Sequence, residues 1–360
     1  MASLKLTKYK LRNGVRAFNR WVVPYIKSKA YGKRLRPVLS YLFTDWKCNI
    51  NCKYCFQYDN KEKGMSLETA YSSIDWLNSI GCRVLAIMGG EPLVRKDFIL
   101  KVIKYGSGKG MFVYLPTNGY LMDKDFIDKA GKADVAAINL AVDCIYPKPG
   151  LPKALMPIEP QFRYLVSQQE NYGYILFFNM NITSKNIKDI KMLTEIAHDN
   201  GIGVDYHVNE PPQEMIDVHH AKIEDELFIR PEQYKEVDEL LEWIIMKHKK
   251  GYVMVNSIPH LKAMKKRMRN KDVKWDCRAG HNGILIKPDG SLSPCFDLIN
   301  YHEDWGRIWN PKFDKKKIAK VKKECVKKCL STCFYNISQY YHPLEALKWM
   351  FKQARIGGER

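Results

Sequence analysis

The sequence predicts an α/β fold in which parallel strands are joined by helical crossovers. Three observations carry that expectation. Short apolar runs alternate with helix-patterned stretches, and the runs recur at the pitch of β/α units. The third is composition: at 46% hydrophobic, the 360-residue chain buries a sizeable core and holds no repeat or low-complexity segment. A length of this order fits one domain with a substantial appendage. Residues 37–43 read as a buried strand running straight into a cysteine-rich loop. Further strands are predicted over 83–88, 111–115, 135–142, 174–181 and 203–208, and helices over 66–80, 98–105, 124–132 and 186–200. Another helix is predicted over 230–250, where Pro231 stands at an N-terminal position.

The ten cysteines are clustered rather than spread as in a secreted disulfide framework. Three fall at 48–55, five between 277 and 333, and two are single, Cys82 and Cys144. Cys48, Cys52 and Cys55 have the spacing CxxxCxxC with Tyr54 before the last. Three thiolates can hold three irons of a [4Fe–4S] cluster and leave the fourth iron open to a ligand. The competing reading is structural zinc, which needs a fourth ligand; Asp59 and Cys82 are the nearest candidates downstream. Gly89-Gly90-Glu91-Pro92 follows at the end of the second predicted strand, and Thr117-Asn118-Gly119 at the end of the third.

The loop, the glycine-glycine-glutamate-proline run and the threonine-asparagine-glycine turn, in that order, resemble the signature of the radical S-adenosylmethionine (radical SAM) superfamily. The resemblance implies a partial (β/α)6 barrel with chemistry at the C-terminal ends of its strands. It implies that Cys48, Cys52 and Cys55 hold a [4Fe–4S] cluster whose open iron chelates SAM. Gly89, Gly90, Glu91 and Pro92 would then receive the methionyl amino group, Tyr54 would lie against the adenine side, and Thr117, Asn118, Asp143 and Asn181 would contribute further contacts. Ala141 stands where the family often has a serine, so Asp143 or Asn139 would replace one ribose contact. Such enzymes release a 5′-deoxyadenosyl radical, using electrons from a donor such as flavodoxin or ferredoxin. The sixth predicted strand ends near His207 and Asn209, where a single histidine reads first as hydrogen-bonded filling and second as a substrate-side residue. Cys144 is a candidate catalytic hydrogen-atom donor; its bland reading, shared with Cys82, is a small buried hydrophobe.

The C-terminal cysteines extend the resemblance to the SPASM/twitch appendages. Cys277, Gly290 and Cys295 give the pattern CX12GX4C across a strand, a Pro288-Asp289-Gly290 turn and a return strand. Cys325, Cys329 and Cys333 follow at i, i+4 and i+8. Five cysteines are too few for the seven of a full SPASM domain, so the resemblance implies one auxiliary [4Fe–4S] cluster. Cys277 and Cys295 would be joined by Cys329 and Cys333, with Cys325 retained as an alternative. Zinc held by the same thiols is the competing reading. The domains expected are a basic extension over 1–37, the barrel over 38–215, a helical connection over 216–274, and the auxiliary region with a terminal helix over 275–360.

Charge bears on partners. The net charge is +20, and eleven Lys or Arg but no Asp or Glu precede residue 38. Leu11, Val15, Phe18, Val22 and Ile26 fall on one helical face, with Arg12, Arg16 and Arg20 on another and Pro24 expected to kink the helix. A basic amphipathic helix can lie on an anionic membrane, or its apolar stripe can pack on the barrel. No signal peptide and no run of roughly 20 apolar residues is apparent. The expectation is a cytoplasmic protein, peripheral on the membrane, acting on a lipid. The alternative is modification of a peptide or protein side chain. A remote third reading is a non-catalytic, zinc-stabilised nucleic-acid-binding protein, which leaves the glycine-glycine-glutamate-proline run without a role.

Overall fold

The computed structural model describes residues 15–16, 18–23, 26, 35–55, 60–209, 225–269, 271–299 and 303–339. Six strands, β1 (Leu39–Phe43), β2 (Val84–Met88), β3 (Phe112–Thr117), β4 (Ala137–Ala141), β5 (Ile175–Ile182) and β6 (Gly203–Val208), lie side by side in chain order. Each pairs in parallel with the next. Helices α1 (Leu67–Ser79), α2 (Lys96–Gly108), α3 (Lys124–Lys132), α4 (Glu159–Tyr172) and α5 (Ile187–Asp199) occupy the crossovers. The chain is therefore a partial parallel barrel.

Local chemistry starts these helices where the sequence says they should start. Ser66 caps α1 by accepting from the Thr69 amide, and Asp123 caps α3 by accepting from the Phe126 amide at 2.8 Å. Ala70, Ser73, Ile74 and Leu77 give α1 one buried face at helical spacing. One crossover helix, α4, has no counterpart among the predicted helices. It follows the proline-rich stretch 147–160, carries Pro160 in its first turn, and buries only Phe162 and Leu165. Its periodic signal is correspondingly weak.

Alternation along the strands separates two apolar layers. Leu42, Leu85, Ile87, Val113, Leu115, Ile138, Leu140 and Phe178 pack outward against the helices. Leu39, Tyr41, Phe43, Val84, Ala86, Phe112 and Ala137 face the barrel interior, with Tyr114 and Phe177 packed against them. By the same alternation Asn139, Asn179, Asp205 and His207 stand on the interior face.

After α6 (Tyr234–Lys249) and α7 (Ile258–Arg267) the chain returns to the barrel. Strand β7 (Gly283–Ile286) pairs in parallel with β1, placing Leu39 opposite Gly283 and Leu42 opposite Ile286. Strand β8 (Leu292–Ser293) runs back antiparallel, so the predicted hairpin forms and extends the barrel sheet to eight strands. A Cβ at Gly283 would lie 2.8 Å from the Phe334 ring, too close for any side chain. A small pair, β9 (Gly306–Arg307) and β10 (Asn310–Pro311), precedes α8 (Lys315–Lys328) and α9 (Thr332–Gln339).

The N-terminal extension packs in an unexpected sense. Arg16 is buried against Asp134, and Arg20 donates to the Met111 carbonyl at 2.8 Å. Val15, Phe18 and Ile26 are exposed, at 53%, 47% and 58%. Arg16 and Arg20 hold the barrel while Val15, Phe18 and Ile26 face outward, because Asp134 and a backbone carbonyl offer the guanidinium groups partners. Leu11, Arg12, Pro24, and the terminal helix expected over 342–356 lie outside the described residues. Among the described residues no helix is long and apolar enough to cross a membrane.

Candidate active site and the C-terminal cysteine pocket

The strand ends assemble the first site. The Cys48–Cys55 loop leaves β1 and is tied down on three sides. The Cys48 amide donates to Asn60 Oδ1 at 3.0 Å, the Lys53 amide to the Gly150 carbonyl at 3.0 Å, and Asn118 Nδ2 to Asn49 Oδ1 at 2.8 Å. Glycines are required at 89 and 90, although the close approach they permit is to the chain's own backbone. A Cβ would fall 2.7 Å from the Asp45 carbonyl oxygen at Gly89 and 2.3 Å from that of Lys47 at Gly90. Those carbonyls accept from the Gly90 and Glu91 amides at 2.9 and 2.7 Å, holding the end of β2 against the cysteine loop.

Glu91 is buried and already engaged. Its Oε1 accepts from the Leu93 amide and Thr117 Oγ1 at 2.9 and 2.7 Å, and its Oε2 from the Asn118 amide at 2.7 Å. Burial raises its pKa, and these hydrogen bonds oppose the rise. A carboxylate offers about four acceptor sites, so one remains for a ligand. Pro92 opens the short turn Pro92–Arg95 that Glu91 caps. The threonine-asparagine-glycine turn is thus the partner of Glu91, and Gly119, at φ +79°, completes it.

Asp143 lies beyond β4 and is fully buried. Its carboxylate accepts from the Tyr54 hydroxyl and from the Asn181 amide at 2.8 Å, which joins the cysteine loop to β5. Lys153 is the residue that sequence reasoning misses. Its ammonium lies 5.3 Å from the centre of the Tyr54 ring, among Cys48, Cys52, Cys55 and Asp143. Burial alone would lower its pKa, but those thiols and the carboxylate outweigh burial and push it up. No periodicity or motif marks a lysine in the 147–153 loop, so only the fold reveals it.

Burial pushes the Cys48 thiol up to about 11 and Cys52 higher still. Bare thiolates are therefore disfavoured here, as expected of ligands that ionise on binding metal. Three soft donors on one loop, a neighbouring cation and a fixed carboxylate fit an iron–sulfur cluster with an open position for a zwitterionic ligand. Cys144 and Cys82 are fully buried; Cys144 packs with Leu151, Ala154 and Leu227 beside Tyr54.

A second site forms between the β7–β8 hairpin and α8. Cys277, Cys295, Cys325 and Cys329 line one cavity, walled by apolar side chains including Trp275, Leu298, Trp305, Ile318 and Phe334. Asp297 stands 3.8 Å from Cys329 Sγ, and Lys322 donates to the Cys277 carbonyl at 2.7 Å. Four thiols in a largely apolar cavity that also carries Asp297 and Lys322 fit a fully ligated cluster. Cys333 does not line it. The spacing of Cys325, Cys329 and Cys333 suggests one helical face, but α8 ends at Lys328, Cys329 is extended (φ −117°, ψ 139°), and a new helix begins at Thr332. Among the described residues no three Cys, His, Asp or Glu side chains converge on a point suited to a single metal ion.

Residues 47–209 match the model of the Radical SAM superfamily. Residues 47–209 of the chain belong to the radical SAM superfamily. Among relatives, this radical SAM chain is 28% identical over 173 residues to an AdoMet-dependent heme synthase of Methanosarcina barkeri, covering 45% of this chain and 47% of that one. The chain spans about half the length of the curated relatives it matches. Its fold is similar to that of Streptococcus suis SuiB bound to precursor peptide SuiA, with TM-score 0.61, 15% identity, and 90% and 75% of the two chains covered. It is similar also to anSMEcpe with bound AdoMet and Cp18Cys peptide, with TM-score 0.56, 17% identity, and 88% and 97% covered.

Proposed function

We propose that this radical SAM chain removes a hydrogen atom from an unactivated C–H bond in a peptide or protein side chain. The observation that carries the proposal is the cysteine loop standing over a barrel interior whose β4, β5 and β6 strands add polar groups to its apolar layer. There Asn179 Nδ2 lies 2.9 Å from His207 Nε2, and Asp205 lies 3.4 Å from the same nitrogen. Hydrogen-bonding groups at that depth suit a substrate carrying amides rather than an acyl chain. The fold shared with SuiB and anSMEcpe, both solved with peptides, supports the same reading.

With a [4Fe–4S] cluster and SAM bound, the cofactors would supply the 5′-deoxyadenosyl radical. The chain's own residues would do the rest. Cys48, Cys52 and Cys55 hold the cluster. Glu91, fixed by three donors, presents its remaining lone pair to the methionyl ammonium. Lys153 balances the negative charge of the thiolates and of a carboxylate. The Tyr54–Asp143 bond keeps the loop closed against β5. Cys277, Cys295, Cys325 and Cys329 would hold one auxiliary cluster.

The test is anaerobic reconstitution with iron and sulfide, then SAM and a low-potential donor of the flavodoxin or ferredoxin class. Release of 5′-deoxyadenosine is expected, faster when a peptide fraction of cell extract is added than when a lipid extract is. Stimulation by the lipid extract alone would overturn the peptide assignment. One observation favours the lipid reading as second choice: the outward Val15, Phe18 and Ile26 beside a basic extension. Cosedimentation with anionic vesicles, lost in Phe18→Glu, would support it.

A further inference from the structure

Five cysteines lie in the C-terminal region and only four line its cavity. The fifth, Cys333, sits in the first turn of α9, on the other side of the helix break at Cys329. Its surroundings are chiefly those of the barrel interior, with Asp297 of the C-terminal cavity also acting on the thiol. Tyr41, from the middle of β1, donates its hydroxyl to the Cys333 carbonyl at 3.0 Å and also lies beside the thiol. Tyr114 of β3 and Asp205 of β6 act electrostatically on the same thiol. Thr332, one residue earlier, donates to the Tyr206 carbonyl at 3.3 Å and fixes the start of α9 against β6.

A second observation marks this interior as a place for a ligand. Asp205 is 8% exposed and Asn139 is 3% exposed. Among the described residues, Asp205 Oδ1 and Asn139 Oδ1 have no hydrogen-bond partner. Buried acceptors left unpaired are costly, and a fold keeps them where a bound molecule supplies the donor. Asn139 and Asp205 both stand on the interior face, the face Cys333 approaches from α9.

We propose that Cys333 is a substrate-facing thiol that returns a hydrogen atom to the substrate radical, rather than a ligand of the C-terminal cluster. The inference rests on the radical SAM reading above. The carbon-centred radical forms a C–H bond while the Cys333 S–H bond breaks, leaving a sulfur-centred radical. One electron from the low-potential donor and one proton from solvent restore the thiol. The direction is favourable because an S–H bond is weaker than an unactivated C–H bond. The net result is a substrate carbon that has lost one hydrogen atom and regained another, from the face that Cys333 occupies.

The test uses the full-length reconstituted protein in D2O, with SAM, reductant and the peptide fraction that stimulates SAM cleavage. The exchangeable deuterium on Cys333 is then the atom the substrate radical takes up. Wild-type protein is expected to yield peptide product carrying one non-exchangeable deuterium, and the fraction labelled is expected to fall several-fold in Cys333→Ser. Serine keeps the shape and the hydrogen bond beside Tyr41, but its O–H bond is too strong to give up the atom. Iron content is the second readout. Cys333→Ser should retain roughly eight irons per chain, two four-iron clusters, whereas Cys329→Ser should lose the share of the auxiliary cluster. An equal labelled fraction in Cys333→Ser and wild type, or loss of iron in Cys333→Ser matching that in Cys329→Ser, overturns the proposal and leaves the radical SAM reading intact. No 5′-deoxyadenosine from wild type overturns both.

Discussion

The two cysteine sites differ in how they are built and in what surrounds them. Cys48, Cys52 and Cys55 come from one short loop amid Glu91, Asn118, Asp143 and Lys153. Cys277, Cys295, Cys325 and Cys329 are gathered from a hairpin and a helix and are walled by Trp275, Leu298, Trp305 and Phe334. Three thiols in a polar cleft leave a position that a charged ligand can reach. Four in a largely apolar cavity, with Asp297 and Lys322 at its wall, supply a full ligand set and leave none. The same residue type is thus set up for catalysis in one place and for enclosure in the other.

The largest effect should separate the two sites by function. Cys52→Ala is expected to abolish release of 5′-deoxyadenosine, while Cys295→Ala keeps it measurable and loses only the C-terminal iron. Iron analysis beside a SAM-cleavage assay reads both, and equal loss of cleavage in both variants would break the distinction. Next, the apolar wall should matter through packing. Phe334, 1% exposed, meets Tyr41 at 5.5 Å between ring centres, so Phe334→Ala should cost about 3–5 kcal/mol in thermal or chemical unfolding.

Glu91→Gln sharpens the polar half. An amide has one acceptor oxygen, so one of the donors from Leu93, Thr117 or Asn118 would face an NH2 group. The expected cost is about 1–3 kcal/mol of stability, with weaker SAM binding by calorimetry. The smallest effect is a pH dependence seated at a buried histidine that belongs to neither ligand set. Burial holds the imidazole of His260 down to about 3, and it stacks on Tyr335 at 4.1 Å. Above the unfolded value near 6.5 the group is neutral in both states. As pH falls below that, the unfolded chain takes up the proton first and stability drops, by about 1.4 kcal/mol per pH unit at most, until pH nears 3. His260→Phe keeps the stack and should remove this contribution between roughly pH 6.5 and 5, read as a smaller fall in melting temperature.

Much of this architecture is legible in the order of residues along the chain. The strand runs are legible because buried parallel strands are continuously apolar, and the crossover helix α4 is not, because it buries only two apolar side chains. The threonine-asparagine-glycine turn can be located, but not its role as the partner that satisfies Glu91. The N-terminal stripe is recognisably amphipathic, yet its orientation depends on Asp134, more than a hundred residues away.

Residue order suffices for the catalytic loop, the succession of the strands and the family, since ligands seven residues apart at most are held together by the covalent chain. Folding in three dimensions is what brings Lys153 to the loop, pairs β7 with β1, and parts Cys333 from the other four cysteines. Each depends on the direction of a side chain or strand after a break or a long excursion. Spacing along the chain stops specifying direction once a helix ends, as α8 does one residue before Cys329.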